Sequence, residues 1–347
     1  MLGTRNLGWI GIDFGAQAVK VAQLARRNGQ FQLVAAQVVK RREAWSSDPH
    51  GPVHSSVGEI EAALASVGAF RGRTTACVLS MSRCGIFGMR VDVGQADREI
   101  GRQLASALTC PSEFGYWETH EPDEKSSASD DNVHVLTLPT AWSDRVCEDQ
   151  SQLGLECRIL DGLPLTLARA TRLLPDASTA PLVVLDWGFS QTTLCAVLHG
   201  KPLYVRVLPD SGAARLLDSI ARRIGISQDD AGQALTKHGI EQDTPSDIQR
   251  LILEAVTEPL QDMASELHQS INYLFTHRRN LSPHEIVLTG AGATFAGIES
   301  WVNRVTGVPT RCFRVPFVAP AHELPPSTVS LLAPAMTLSA LAWEAAA

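Results

Sequence analysis

Ile10-Gly11-Ile12-Asp13-Phe14-Gly15-Ala16-Gln17-Ala18-Val19-Lys20-Val21-Ala22-Gln23-Leu24 reads as a strand, a tight turn and a second strand. Trp9, Ile10 and Ile12 make an apolar run that ends on the Asp13 carboxylate. Gly15 lets the backbone turn because it has no Cβ to clash. Beyond it Val19, Val21 and Ala22 are apolar, with Lys20 and Gln23 beside them, which is the pattern of a β-hairpin.

The same device returns roughly half a chain later, where a duplicated, two-lobed fold would put it. Leu182-Val183-Val184-Leu185-Asp186-Trp187-Gly188-Phe189-Ser190-Gln191-Thr192-Thr193-Leu194 repeats the apolar run, Asp, aromatic, Gly, turn and apolar strand. Two such hairpins can face each other across a cleft. Their turn N–H groups would bind phosphate, and a nearby carboxylate would hold Mg²⁺ through water. A third piece, residues 286–295, reads as a strand entering the small-residue turn Gly290-Ala291-Gly292 and then a helix over 296–305. Such a turn offers free N–H groups and lets a flat ligand approach the backbone.

With this ordered triple, the chain resembles the actin/Hsp70/sugar-kinase superfamily, and within it the PilM family of type IV pilus assembly. The resemblance covers nearly the whole chain. It is densest at Gly11-Ile12-Asp13-Phe14-Gly15 with Val19-Lys20, at Leu185-Asp186-Trp187-Gly188 with Thr192-Thr193, and over 286–294. The tail 332–342 is similar to the family's closing helix. The resemblance implies an α/β, actin-like duplicated ATPase fold of two lobes with an inserted β-α-β-β-α subdomain. The expected boundaries are 1–80 for the first part of the first lobe and 81–158 for the insert. A crossing helix over 159–180 follows, with 325–347 completing the first lobe and 181–324 forming the second. The implied cofactor is ATP or ADP with Mg²⁺. Its expected contacts are Asp13, Gly15, Gln17, Lys20, Asp186, Gly188, Ser190, Gln191, Thr192, Gly290, Ala291 and Gly292, with Asp13 and Asp186 toward the metal.

Composition agrees with such a molecule. A chain of 347 residues can hold two domains, and 44% hydrophobic with 19% charged residues is globular in character. A net charge of −7 gives no bulk attraction to nucleic acid. Seven cysteines without a C-x-x-C spacing argue for small buried hydrophobes in a reducing compartment, against a disulfide framework or zinc site. Asp13 interrupts the N-terminal apolar stretch, so it does not read as a signal peptide. Residues 328–347 carry a single charge, Glu344, but their Ala and Ser content reads as a buried helix rather than a membrane anchor.

Between the motifs, 32–39 reads as a third strand, and Lys40-Arg41-Arg42 at its end as a solvated edge. Residues 57–70 read as a helix and 75–80 as a buried strand. The insert reads as strand 85–93, helix 95–108, strand 114–119, an acidic exposed loop over 121–132, strand 133–138 and helix 141–153. Helices are expected over 163–174, 213–224 and 248–276, and Ser227 reads as a helix N-cap. The histidines have no metal-ligand spacing, and no Gly-x-Ser-x-Gly or Cys/His constellation points to a hydrolase.

The chain departs from the family pattern at several places, among them Trp187, bulkier than the usual aliphatic residue beside Asp186. Hydroxyl residues fill the first turn in relatives, whereas Ala16-Gln17-Ala18 stands here. Gly232 and Leu235 take the places of an acidic residue and a Lys that hold ribose and adenine, with Lys237 close by. Gly162 replaces an acidic or amide residue where water would be activated, one residue after Asp161. Two readings stand at this point: a nucleotide clasp with little or no hydrolysis, or a relic in which Asp13 and Asp186 only cap turns. Without an oriented water, hydrolysis would be weak.

By resemblance the chain is a cytoplasmic scaffold, peripheral to the inner membrane. It would bind the N-terminal cytoplasmic peptide of a single-pass inner-membrane pilus or type II secretion protein, without nucleic acid and without inserting itself. Two alternatives remain. One is an active ATPase or sugar kinase, for which Asp161 and Asp210 are the only candidate bases. The other is a filament-forming or division-related actin-like protein, whose basic amphipathic C-terminal anchor this tail lacks.

Overall fold

The computed structural model describes residues 6–46, 48, 51–67, 70–119, 131–175, 180–240, 246–315 and 324–344. Most of the acidic loop expected over 121–132 lies outside them. β1 (Ile10–Phe14) and β2 (Ala18–Arg27) form the first hairpin, extended by β3 (Gln30–Lys40). α1 (Val57–Val67) and β4 (Thr74–Leu79) follow. Next come β5 (Gly85–Met89), α2 (Ala96–Ala107), β6 (Ser112–Glu118), β7 (Val133–Pro139) and α3 (Thr140–Gln152). β8 (Glu156–Asp161) runs into α4 (Leu163–Ala170). β9 (Leu182–Trp187), β10 (Thr192–Leu198) and β11 (Lys201–Leu208) open the second lobe. It continues through α5 (Ala213–Ile224), α6 (Gln228–His238), α7 (Asp247–His277), β12 (Ile286–Thr289), α8 (Ile298–Thr306) and β13 (Thr310–Cys312). α9 (Pro326–Leu331) and α10 (Ala333–Glu344) close the chain.

The duplication holds to the residue. The first sheet runs β3-β2-β1-β4-β8 and the second β11-β10-β9-β12-β13. Each is an antiparallel three-strand meander extended by two parallel strands. In the first hairpin Asp13 pairs with Lys20 and Phe14 with Val19; in the second Asp186 pairs with Thr193 and Trp187 with Thr192. Both turns therefore span the same four positions, 15–18 and 188–191.

Two helices fill the space between the sheets. α10 lies on β1, β2 and β4, α4 lies on β9, β10 and β11, and the two pack on each other. The approach of α10 is close because β1 offers no side chain there. A Cβ at Gly11 would sit 1.9 Å from the Ala335 carbonyl oxygen, and one at Gly8 2.4 Å from that of Ser339. Ser339 Oγ accepts from the Leu24 N–H at 2.9 Å and donates to the Trp9 carbonyl at 2.6 Å. The apolar tail is thus covered by the first lobe, and among the described residues no helix is long and apolar enough to cross a membrane.

α3 has a different task from the rest of the inserted segment. Its Trp142 and Val146 join Ile10, Ile12 and Ile60 on the outer face of the first sheet. β5, β6, β7 and α2 instead form a three-stranded antiparallel sheet with its own small core, including Ile100, Leu104, Val133 and Val135. That module also touches the second lobe: Trp117 Nε1 donates to the Pro202 carbonyl at 2.7 Å, and Arg278 Nη2 to the Thr119 carbonyl at 3.3 Å.

The basic run at the end of β3 is not a uniformly solvated edge. Lys40 is exposed, but Arg41 is buried, 3% exposed, with its guanidinium 3.6 Å from the Trp45 ring centroid. It donates to the Gly15 carbonyl at 3.0 Å and to Ser56 Oγ at 2.9 Å, with Glu59 at 3.8 Å. Burial still lowers its pKa to about 10. Arg41 is a strut beneath the first turn, whose Gln17 and Ala16 carbonyls accept from the Arg41 and Trp45 N–H groups.

Candidate functional site

The two hairpins converge on a cavity of about 700 Å³ between the lobes. Asp13, Gly15, Gln17, Lys20, Asp186, Gly188, Ser190, Gly290 and Ala291 all line it. Three expected residues are not on its wall. Thr192 is fully buried and its hydroxyl donates to the Ser211 carbonyl at 2.7 Å. Gln191 is buried behind the turn, and its Nε2 has no partner among the described residues. Gly292 makes room for Trp187, whose Cγ would lie 2.4 Å from a Cβ there.

Lys20 Nζ donates to Asp13 Oδ2 at 2.5 Å. Across the cleft, Asp186 accepts from Thr289 Oγ1 at 3.3 Å. Burial pushes the Asp186 carboxyl up to about 6; Lys20 opposes that shift and the Asp13 charge adds to it. One ammonium therefore serves two carboxylates. Gly290, at φ +83°, lets the third loop pass within contact of Asp186 and the Trp187 carbonyl; a Cβ there would meet either at 2.6 Å. The turn after β12 is a short 3-10 segment, Ala291–Thr294. The helix begins only at Ile298, after Gly297 in the left-handed conformation. The loop, rather than a helix N-terminus, is what faces the cavity.

The far wall consists of Gly232, Gln233, Thr236 and Lys237 from α6 with Thr294 and Phe295 from the third loop. A Cβ at Gly232 would meet only Leu217 Cδ2, at 3.9 Å, so that wall is open for a flat group. Leu235 is fully buried in the second lobe's core and does not reach the cavity. Lys40 Nζ bridges to Asp229 Oδ1 across the mouth, a contact the sequence reading did not anticipate. Its signal was faint: a lysine ending a strand and an aspartate two residues after a helix cap. Volume, glycine-lined turns, an ammonium and two facing carboxylates suit a phosphate chain with a hydrated divalent ion. Ala16 and Ala18 supply no hydroxyl donor to it.

The candidate bases for phosphoryl transfer are elsewhere. Asp161 accepts from Thr166 Oγ1 at 2.9 Å and from Arg169, and neither it nor Asp210 lines the cavity. Gly162 packs beside the inserted module, where a Cβ would lie 2.6 Å from Leu136 Cδ2.

A family model for type IV pilus assembly protein PilM matches residues 121–329, more than half of the chain. The chain belongs to the PilM family. Among solved structures, a PilM-PilN type IV pilus biogenesis complex contains a chain similar to this PilM-family member at a TM-score of 0.74 and 19% identity. The match covers 96% of this chain and 98% of that one. Ethanolamine utilization protein EutJ from Carboxydothermus hydrogenoformans matches at 0.55 and 14%, over 96% and 90% of the two chains. MreB 5 of Spiroplasma citri bound to AMPPNP matches at 0.50 and 12%, over 99% and 97%. These likenesses show an actin-like ATPase fold for this PilM-family chain.

Proposed function

We propose that this chain is the actin-fold scaffold of an inner-membrane pilus platform. It would bind the N-terminal cytoplasmic peptide of a single-pass membrane partner and sit at the inner membrane through that partner. The observation that carries the reading is a groove of about 380 Å³ where the inserted module meets both lobes. Trp117 of β6, Leu165, Arg169 and Arg172 from the crossing segment, Lys201 and Pro202 of the second lobe, and Glu344 of α10 line it. An aromatic wall with charges of both signs suits an extended peptide held by side-chain pockets. Family membership and the full-length match to a chain of a PilM-PilN complex support the choice of partner.

The interlobe cleft fits the same reading as an ATP or ADP clasp. Lys20 and the two turns would hold the phosphates and Asp13 and Asp186 a hydrated Mg²⁺, with little turnover because neither candidate base, Asp161 or Asp210, lines the cavity. The resemblance of the fold to an AMPPNP-bound structure supports nucleotide as the ligand class. The test is calorimetric titration with the cytoplasmic peptide of the partner membrane protein. Binding is expected, and Trp117→Ala is expected to weaken it about tenfold, as loss of a buried aromatic anchor does. No heat with the cytoplasmic peptide of any pilus or secretion membrane protein from the same cell overturns the proposal.

A further inference from the structure

The geometry points to a carboxylate cradle in the groove beside Trp117. Arg169 and Arg172 form it, Glu344 of the same chain occupies it, and an acidic side chain of the bound peptide displaces Glu344. The inference rests on the groove being the peptide site and adds the chemistry that the site selects. Both arginines and Glu344 line the groove. The two Glu344 oxygens are held separately: Oε2 lies 3.3 Å from Arg169 Nε, and Oε1 accepts from Arg172 Nη1 at 3.0 Å. Two guanidinium groups thus converge on one carboxylate.

The arginines are seated by contacts that do not involve Glu344. Arg169, on α4, also donates through Nη1 to Asp161 Oδ2, and the buried Asp161 carboxylate accepts from Thr166 Oγ1 at 2.9 Å. Arg172, on the short 3-10 turn after α4, lies against Gly200 in the β10–β11 turn. A Cβ at Gly200 would stand 2.8 Å from Arg172 Nε and 3.2 Å from Nη2, so a side chain there would push the guanidinium aside. Glu344 is the loose member of the set. It is the last residue of α10, and its side chain is 40% exposed. Turning it into water costs little, because a partly exposed ion pair is worth little against hydration.

Charge complementarity then names the occupant. With Glu344 turned out, three cations, Arg169, Arg172 and Lys201, face two carboxylates, Glu118 and the buried Asp161 behind Arg169. The surplus positive charge calls for a carboxylate, and Trp117 and Leu165 of the same groove call for an apolar neighbour to it. Glu344 is therefore a competitor in cis: it lowers the apparent affinity by the fraction of time it holds the cradle. A pair that merely fastened the end of α10 predicts the opposite sign, because its removal would loosen the groove and weaken binding.

The experiment titrates the full chain by calorimetry with the cytoplasmic peptide of the partner membrane protein, C-terminally amidated so that its carboxylates are side chains. A second peptide carries Asn and Gln in place of every Asp and Glu. Glu344→Gln is expected to bind the native peptide about two- to fivefold tighter than the parent, the worth of a partly exposed ion pair. Arg172→Gln should bind it more weakly than the parent, and the gain in Glu344→Gln should vanish with the neutral peptide. Unchanged or weaker binding by Glu344→Gln, or an equal gain with both peptides, overturns the cradle. Sodium glutarate, followed at the Arg169 and Arg172 Nε–H resonances, tests the cradle without the peptide. Its midpoint should fall at a lower concentration in Glu344→Gln than in the parent, and equal midpoints overturn the cradle. A lowered glutarate midpoint with no peptide binding supports the cradle and overturns the peptide reading alone.

Discussion

The two hairpins share one register and differ in what covers them. Gly11 of β1 and Val184 of β9 occupy the same place, two residues before their aspartates. Gly11 faces the backbone of the Ala- and Ser-rich helix α10. Val184 packs in the same interlobe core, where α4 contributes the larger side chains of Leu163 and Leu167. The same comparison explains the charges. Asp13 faces its own lysine across the hairpin, whereas Asp186 faces Thr193 and depends on Lys20 from the other lobe. Duplication fixes the backbone, and the covering helix and the cross-strand partner then decide which lobe carries the shared cation.

The sharpest way to break the comparison is Gly11→Val, which gives the first hairpin the second's residue. Three atoms of the α10 backbone lie within 3.0 Å of the new Cβ, the nearest at 1.9 Å, and none is a flexible side-chain end. The cost is expected to be about 3 kcal/mol or more, read as a lower midpoint in urea. A midpoint within error of the parent would show that α10 does not ride on β1.

What was legible follows the same division. The hairpins, the repeat and the α5 boundaries could be read because apolar alternation and Gly turns are local. Arg41 was misread as solvated because its partners, Trp45, Ser56 and Glu59, lie on a loop and a helix whose approach no local pattern encodes. Gln191, Thr192 and Gly292 sit in the expected motif, but Ser211 and Trp187 decide where they face. Seven cysteines gave no spacing signal, and Cys77, Cys147 and Cys157 fall on three separate elements, β4, α3 and β8.

A smaller effect tests the shared cation. Because burial raises the Asp186 pKa to about 6, the folded chain holds a proton that the unfolded chain has released between the usual carboxylate value and 6. Stability therefore falls as pH rises through that window. Asp186→Asn removes this cost. It is expected to be more stable than the parent by roughly 1–3 kcal/mol at pH 8, discounted for the open side of the cavity, with the gain fading below about pH 4. Paired denaturation curves at the two pH values read it. A gain that persists unchanged at low pH would mean that Asp186 does not titrate as a desolvated carboxyl.

The smallest effect concerns the first turn. Ala16 is buried in the outer core of the first lobe, so a hydroxyl there would be desolvated without a partner. Ala18 is partly open and lines the cavity beside Lys20. Its counterpart in the second hairpin is Gln191, which turns away from the cleft. Ala18→Ser therefore replaces an alanine of the first turn that lines the cavity and is partly open, where a small hydroxyl can face the ligand and stay solvated in its absence. One added hydrogen bond is worth about 0.5–1.5 kcal/mol, so Mg-ATP affinity is expected to rise roughly two- to tenfold by calorimetry with stability unchanged. If affinity does not move while Asp186→Asn lowers it, the phosphates rest on the second hairpin alone, and the two halves of the duplication have divided the site unequally.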